Sequence, residues 1–176
     1  MKTLKTLLTL FTLVAVFSTG AFAQEVEISA NVVNAISVVT NNSVSFGDVD
    51  NNADATIQAG DDDAGNPDAN AGTPVNGQVT ISNVASSQTI VVSWNDGDVL
   101  LSDGDGTTIA FDPRIFSDLT GGELTTPGGS NIAFGGGDTS DILYVGGDLS
   151  STGVPAGVYN TTLGGGNGIT ITVEYL

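Results

Sequence analysis

Apolar residues in this chain recur at every second position in short runs, and Gly, Asn and Asp break the runs apart. Period-2 alternation turns one face of a strand inward and the other outward, whereas a helix needs an apolar period near 3.6. Helix-favouring residues are also scarce, with three Lys and Arg and one Met set against 24 Gly in 176 residues. The runs are Val26 to Val39, Ser43 to Phe46, Gln78 to Val84, Thr89 to Trp94, Val99 to Leu101, Thr107 to Phe111, Asn131 to Phe134, Ile142 to Val145, Gly157 to Leu163 and Ile169 to Tyr175. So many short strands in one domain predict an antiparallel sandwich or barrel.

Alternation also nominates the core: Val79 and Ile81, Ile90, Val92 and Trp94, Ile109 and Phe111, Ile132 and Phe134, Leu143 and Val145. Trp94 reads as a core residue, with an exposed sugar-binding ring as the alternative. The last run puts Ile169, Ile171, Val173 and Tyr175 on one face and Thr170, Thr172 and Glu174 on the other. A terminal segment patterned in this way is expected to be paired inside a sheet, because unpaired termini fray.

The start of the chain has the form of an export signal. Lys2 and Lys5 lead an apolar run from Leu7 to Phe17, and Ala21-Phe22-Ala23 supplies a small-x-small cleavage site before Gln24. The run is too short for a permanent membrane anchor. Removing residues 1–23 leaves residues 24–176 as one expected domain. It also takes two lysines from a net charge of −17, leaving about −19 with Arg114 as the only basic side chain. Such a surface repels phosphate backbones and anionic lipid, so neither nucleic acid nor membrane insertion is expected. There is no Cys and no His, which excludes disulfides, ordinary zinc sites and His-based catalysis.

The first alternating run is overlong. From Val26 to Val39 it covers about 14 residues, or ~46 Å at 3.3 Å each, where five or six residues are typical. Two readings stand. In one, a single strand crosses between sheets at Asn34-Ala35. In the other, Val26 to Val33 is a donor that presents Val26, Ile28, Ala30 and Val32 to a neighbouring subunit, and the resident strand starts at Ala35. Strand addition to an exposed edge takes affinity from main-chain bonds and specificity from alternate side chains.

Three loops are rich in oxygen ligands: Asp48 to Asp54, Gly60 to Asn70, and Asp103 to Gly106. Asp61, Asp62, Asp63, Asp103 and Asp105 are the candidate calcium ligands, since calcium accepts six to eight oxygens in adaptable geometry. No loop completes the twelve-residue calcium pattern, and the other reading is of solvated turns whose Asp and Asn cap their own backbone. No carboxylate pair stands out for glycoside hydrolysis, and Asp138 to Asp141 brings Ser and Thr but no base, so no enzymatic activity is expected. Asn41-Asn42-Ser43 and Asn160-Thr161-Thr162 match the N-glycosylation pattern, a weak signal in a chain with this much Asn and Thr.

Four segments together carry a family likeness: Phe46-Gly47, Leu143-Tyr144-Val145-Gly146-Gly147-Asp148-Leu149, Pro155-Ala156-Gly157-Val158-Tyr159-Asn160, and Ile169 to Tyr175. They resemble the bacterial DUF4402 domain, itself similar to spore-coat-U-type and archaic chaperone–usher pilin subunits. The resemblance runs from Val26 to Leu176, with no matching motif between Asp54 and Gly77. It implies an immunoglobulin-like β-sandwich and export to the periplasm, cell surface or an extracellular, fimbria-like fibre with a part in adhesion. It also implies Tyr175 as a penultimate aromatic, a glycine near Gly164, and assembly with like subunits through a periplasmic chaperone and usher. The leading expectation is therefore a secreted, non-enzymatic, pilin-like subunit that self-associates by strand sharing, without a cofactor. The alternative is a monomeric extracellular module that binds calcium or a surface glycan.

Overall fold

The computed structural model describes residues 34–60, 74–95 and 99–176. Ten strands account for its regular structure: β1 (Ser37–Asn42), β2 (Ala55–Ile57), β3 (Gly77–Ser82), β4 (Thr89–Trp94), β5 (Val99–Ser102), β6 (Thr108–Ser117), β7 (Gly122–Leu124), β8 (Ser130–Ala133), β9 (Asp141–Leu149) and β10 (Ile171–Tyr175). All pairings are antiparallel. Seven strands form one sheet with the path β1-β3-β9-β6-β5, and β10-β4-β8 form a second. The architecture is an all-β, immunoglobulin-like antiparallel sandwich.

β9 is the hub of the larger sheet. One of its edges is filled along Leu143 to Leu149 by β6. The other is shared end to end by β3, opposite Asp141 to Val145, and β2, opposite Gly147 to Leu149. Where β3 gives way to β2, Gly146 and Gly147 leave room for neighbouring backbone. A Cβ on Gly146 would lie 2.6 Å from Ala59 N and meet the carbonyl oxygen of Ile57; one on Gly147 would meet the carbonyl of Asp112 and come within 2.8 Å of the Phe111 ring. Gly147 also has a φ of +145°, which side chains other than hydrogen disfavour. Pro113, opposite Gly147, lies in the gap between the stretches of β6 paired to β5 and to β7. That is the place in an inner strand where a missing N–H costs least.

Alternation along β3, β4 and β6 buries every second residue. The first core lies between the sheets and includes Val79, Ile81, Ile90, Val92, Trp94, Ile115, Ile132, Phe134, Leu143 and Val145. Trp94 is 7% exposed and its indole N–H has no hydrogen-bond partner among the described residues, so the ring is a packing element. A second core, Phe46, Ala55, Ile57, Val99, Ile109, Phe111 and Leu149, packs with Val44, Val49, Val154, Tyr159 and Ile169. These are residues of irregular segments, and Phe46 meets Phe111 edge-on at 5.7 Å.

That irregular cover includes the run Gly157 to Leu163, which alternates in sequence and is not a strand. The Asn160 side-chain oxygen accepts bonds from Thr162 N (2.9 Å), Thr162 Oγ1 (2.7 Å) and Leu163 N (3.0 Å), closing a turn. One backbone bridge, from Asn160 to Ser102, ties the segment to β5. The Asn side chain out-competes a ladder here, as short polar side chains do in turns. Ser43 to Phe46 likewise makes a single bridge, Ser45 to Val75. β2 and β7, three residues each, are additions that no alternation announced.

One buried carboxylate holds a corner of the sandwich. Asp141, 4% exposed, accepts bonds from Ser117 Oγ (2.7 Å) and Leu119 N (2.8 Å). Burial nevertheless holds its pKa above the ordinary 3.8. Asp54 and Asp103 shift the other way, through bonds from the Thr152 backbone and from the Asp105 backbone respectively.

Gly147→Ala should lower stability by more than about 3 kcal/mol, because backbone rather than a movable side chain occupies the space, and urea unfolding of the variant measures it. Asp141 binds its proton more tightly folded than unfolded, so its contribution is fully present below pH 3.8 and is lost as pH rises through the raised folded value. Asp54 and Asp103 contribute above pH 3.8 and lose that contribution as pH falls through their lowered values. The difference in urea midpoint between wild type and Asp141→Asn should therefore shift in favour of the wild type as pH is lowered from neutrality to 3.8.

Candidate edge-strand groove

The smaller sheet has three strands against seven, so the described residues leave part of the larger sheet's inner face bare. The two strands bordering the gap are β1, an edge of the larger sheet, and β10, an edge of the smaller. Val38 on β1 lies directly opposite Ile81 of β3, and Thr40 opposite Val79. All four therefore share the core-facing side. Yet Ile81 is fully buried while Val38 is 44% exposed. On β10 the inward residues Ile171, Val173 and Tyr175 pack against the first core and are only half-buried.

Between these edges runs a groove of about 910 Å³ whose lining includes Val38, Val44, Phe46, Val79, Ile169 and Ile171, with Asp48 and Asp50 also on its wall. Its floor is the inner face of the larger sheet and its far end reaches the second core. Gly77, on that floor, is packed so that a Cβ would sit 3.0 Å from Val44 and 3.2 Å from Val145.

The backbone of β10 decides what can pair with it. Asn95 N donates to Thr170 O (3.3 Å) and Leu176 N donates to Thr89 O (3.0 Å). Trp94 N, opposite Ile171, points away and donates to Pro127 O. Even-numbered residues of this segment thus direct their peptide groups at β4, and by alternation Ile171, Val173 and Tyr175 direct theirs at the opposite edge of β10, which borders the groove at Ile171. No described strand pairs with that edge. The residues with inward side chains are also the ones that offer N–H and C=O groups.

Both ends of β10 are fixed by side-chain bonds. At its start, the Asn95 side chain accepts from Thr170 N (2.6 Å) and donates to Gly168 O (3.1 Å). At its end, the Tyr175 hydroxyl accepts from Ala85 N (3.1 Å) and donates to Asn34 O (3.0 Å). Asn34, three residues before β1, is therefore tied to the end of the last strand.

The sequence-based site residues fall into three groups. Ile171, Val173 and Tyr175 lie on β10, and Ile169 just before it; all are half-buried, and Ile169 and Ile171 line the groove. Val26, Ile28, Ala30 and Val32, and the acidic Asp61, Asp62 and Asp63, lie outside the described residues. Asp103 and Asp105 occupy the β5–β6 turn, where Asp103 Oδ1 accepts from Asp105 N (2.8 Å) and Thr107 N (3.0 Å) as a turn cap. Among the described residues, no three Asp, Glu, His or Cys gather as a metal site would require. What alternation could not reveal is the role of Val38 and Thr40 as the facing wall; only the β1–β3 register identifies them. Arg114 is engaged on the outer face, 2.9 Å from Asp148, whose other oxygen accepts from Thr56 Oγ1 (2.6 Å). No helix among the described residues is long and apolar enough to cross a membrane. No protein-family model matches the chain, and no curated protein sequence matches it.

Proposed function

We propose that this chain is a secreted, non-enzymatic structural subunit, pilin-like in its assembly, in which Val26 to Val33 of one copy fills the groove beside β10 of the next. The observation that carries the reading is the exposure of core-facing side chains on both facing edges, Val38 on one side and Ile171 with Val173 on the other. A missing strand's worth of apolar cover is what such a pair of edges lacks. Val26, Ile28, Ala30 and Val32 alternate with the period needed to supply it. Burial of each of the larger three side chains is worth about 1.5–3 kcal/mol before ordering costs. Chain copies displayed on a cell surface or in a fibre are the setting that the export signal and the family likeness support.

The open edge also dictates the pairing. Its peptide groups belong to residues with inward side chains, and directly opposed residues in an antiparallel pair share a face. An antiparallel donor must then bond through Val26, Ile28, Ala30 and Val32 themselves, whereas a parallel donor would bond through Glu27, Ser29 and Asn31. The antiparallel form matches every strand pairing among the described residues.

Proline substitution reads this directly, since it deletes one N–H. Ala30→Pro should abolish association of the full chain in size-exclusion chromatography with light scattering, and Ser29→Pro should leave it within about threefold of wild type. If neither substitution changes the association state, strand sharing by this segment is refuted.

A further inference from the structure

We infer that association through the groove is gated by ionic strength, with Glu174 on β10 setting the gate. The inference rests on the strand-sharing reading above and adds its regulation. Each chain carries a net −17, with three basic residues in all. Lys2 and Lys5 belong to the expected signal segment. Arg114 is on the outer face of β6, already 2.9 Å from Asp148. The groove and its bordering strands contain no Lys or Arg, while Asp48 and Asp50 stand on its wall. Two copies that approach along this face meet like charge with no internal counterion.

Strand parity sharpens the repulsion into a specific pair. Glu174 is the exposed, outward residue between Val173 and Tyr175. Two antiparallel registers place three of Val26, Ile28, Ala30 and Val32 opposite Tyr175, Val173 and Ile171. With Val26 opposite Tyr175, Glu27 lies directly across from Glu174. With Ile28 opposite Tyr175, Ser29 takes that place and Glu27 becomes the diagonal neighbour. Either way two carboxylates share one face at cross-strand range, an arrangement that weakens a ladder. The inward face favours insertion and the outward face opposes it.

The Glu174 carboxylate, exposed on the outward face of β10, is open to screening. The Debye length falls from about 30 Å at 0.01 M salt to about 10 Å at 0.1 M and about 3 Å at 1 M. The apolar contribution changes far less over that range. Dilute medium therefore keeps copies apart, and saline medium lets the strand seat. Screening by monovalent salt is sufficient, with no bound cation required.

The test is sedimentation equilibrium of the full chain, expressed with residues 1–23 in place so that any processing occurs, in roughly 20 mM and roughly 500 mM NaCl. The wild-type association constant should rise by at least about tenfold between the two. Glu174→Gln should raise association at low salt by about fivefold and converge with wild type at high salt. Glu123→Gln, which removes the same charge from β7 at the other side of the larger sheet, should change it by less than about twofold. Equal wild-type association at both salt levels, or an equal effect of the two Glu substitutions, overturns the gate and leaves strand sharing intact. Association that appears only with millimolar CaCl2 and not with NaCl also overturns it, in favour of a bound cation. A wild-type chain that stays monomeric under every condition overturns both readings.

Discussion

Three strands compete for the two edges of β9, and the close approach of backbone at Gly146 and Gly147 is what lets all of them dock. β6 takes one edge, while β3 and β2 meet end to end on the other. At the changeover the space that side chains would need is filled by the backbones of Ile57 to Ala59 on one side and Asp112 on the other. The two cores are arranged around this strand: Leu143 and Val145 enter the first, Leu149 the second. The Gly-Gly step thus gives the larger sheet its width, and that width creates the mismatch with its three-stranded partner. The outward charges follow the same geometry, since Asp148 is placed where Arg114 and Thr56 both reach it.

Uneven sheets leave bare apolar surface that something has to cover. Over the second core the cover is irregular chain, pinned by Asn160 and by the Tyr159 hydroxyl, which donates to Pro155 O at 2.9 Å. Along β1 and β10 no described segment performs that task, and the result is a groove rather than a closed seam. Its two walls have different origins. β10 is a well-formed strand held at both ends, with a row of peptide groups left to offer. β1 is an edge strand on which Val38 and Val39 are both exposed. Edges of this kind are ordinarily shielded because they invite pairing. In this molecule the opening is matched by an overlong alternating segment in the same chain.

Much of the sandwich was legible because alternation and burial are two expressions of one geometry. Ile81, Ile90, Val92, Phe111, Phe134 and Leu143 were identified as core by parity alone, and all are buried. The misreadings are equally physical. Gly157 to Leu163 alternates, yet Asn160 gathers three local donors and turns the chain instead. Ala55–Ile57 is too short and too close to an acidic loop to stand out, and it is a strand only because β9 provides an edge at that point. Ile171, Val173 and Tyr175 share the half-buried face of β10, and their half-burial reflects that no described strand lies along that edge.

The class of fold, the identity of most core residues and the excess of acidic charge can all be read from the order of residues, because each depends on local pattern or on simple counting. That order also shows that Val26 to Val39 is longer than one strand requires. It took the pairing of the strands in space to bring β1 and β10 face to face across a gap that no described residue covers, and to assign the peptide groups on the open edge of β10 to its inward residues. Those facts depend on register and on the unequal widths of two sheets. Such relations between segments distant in sequence are set by backbone pairing, which side-chain patterns alone do not encode.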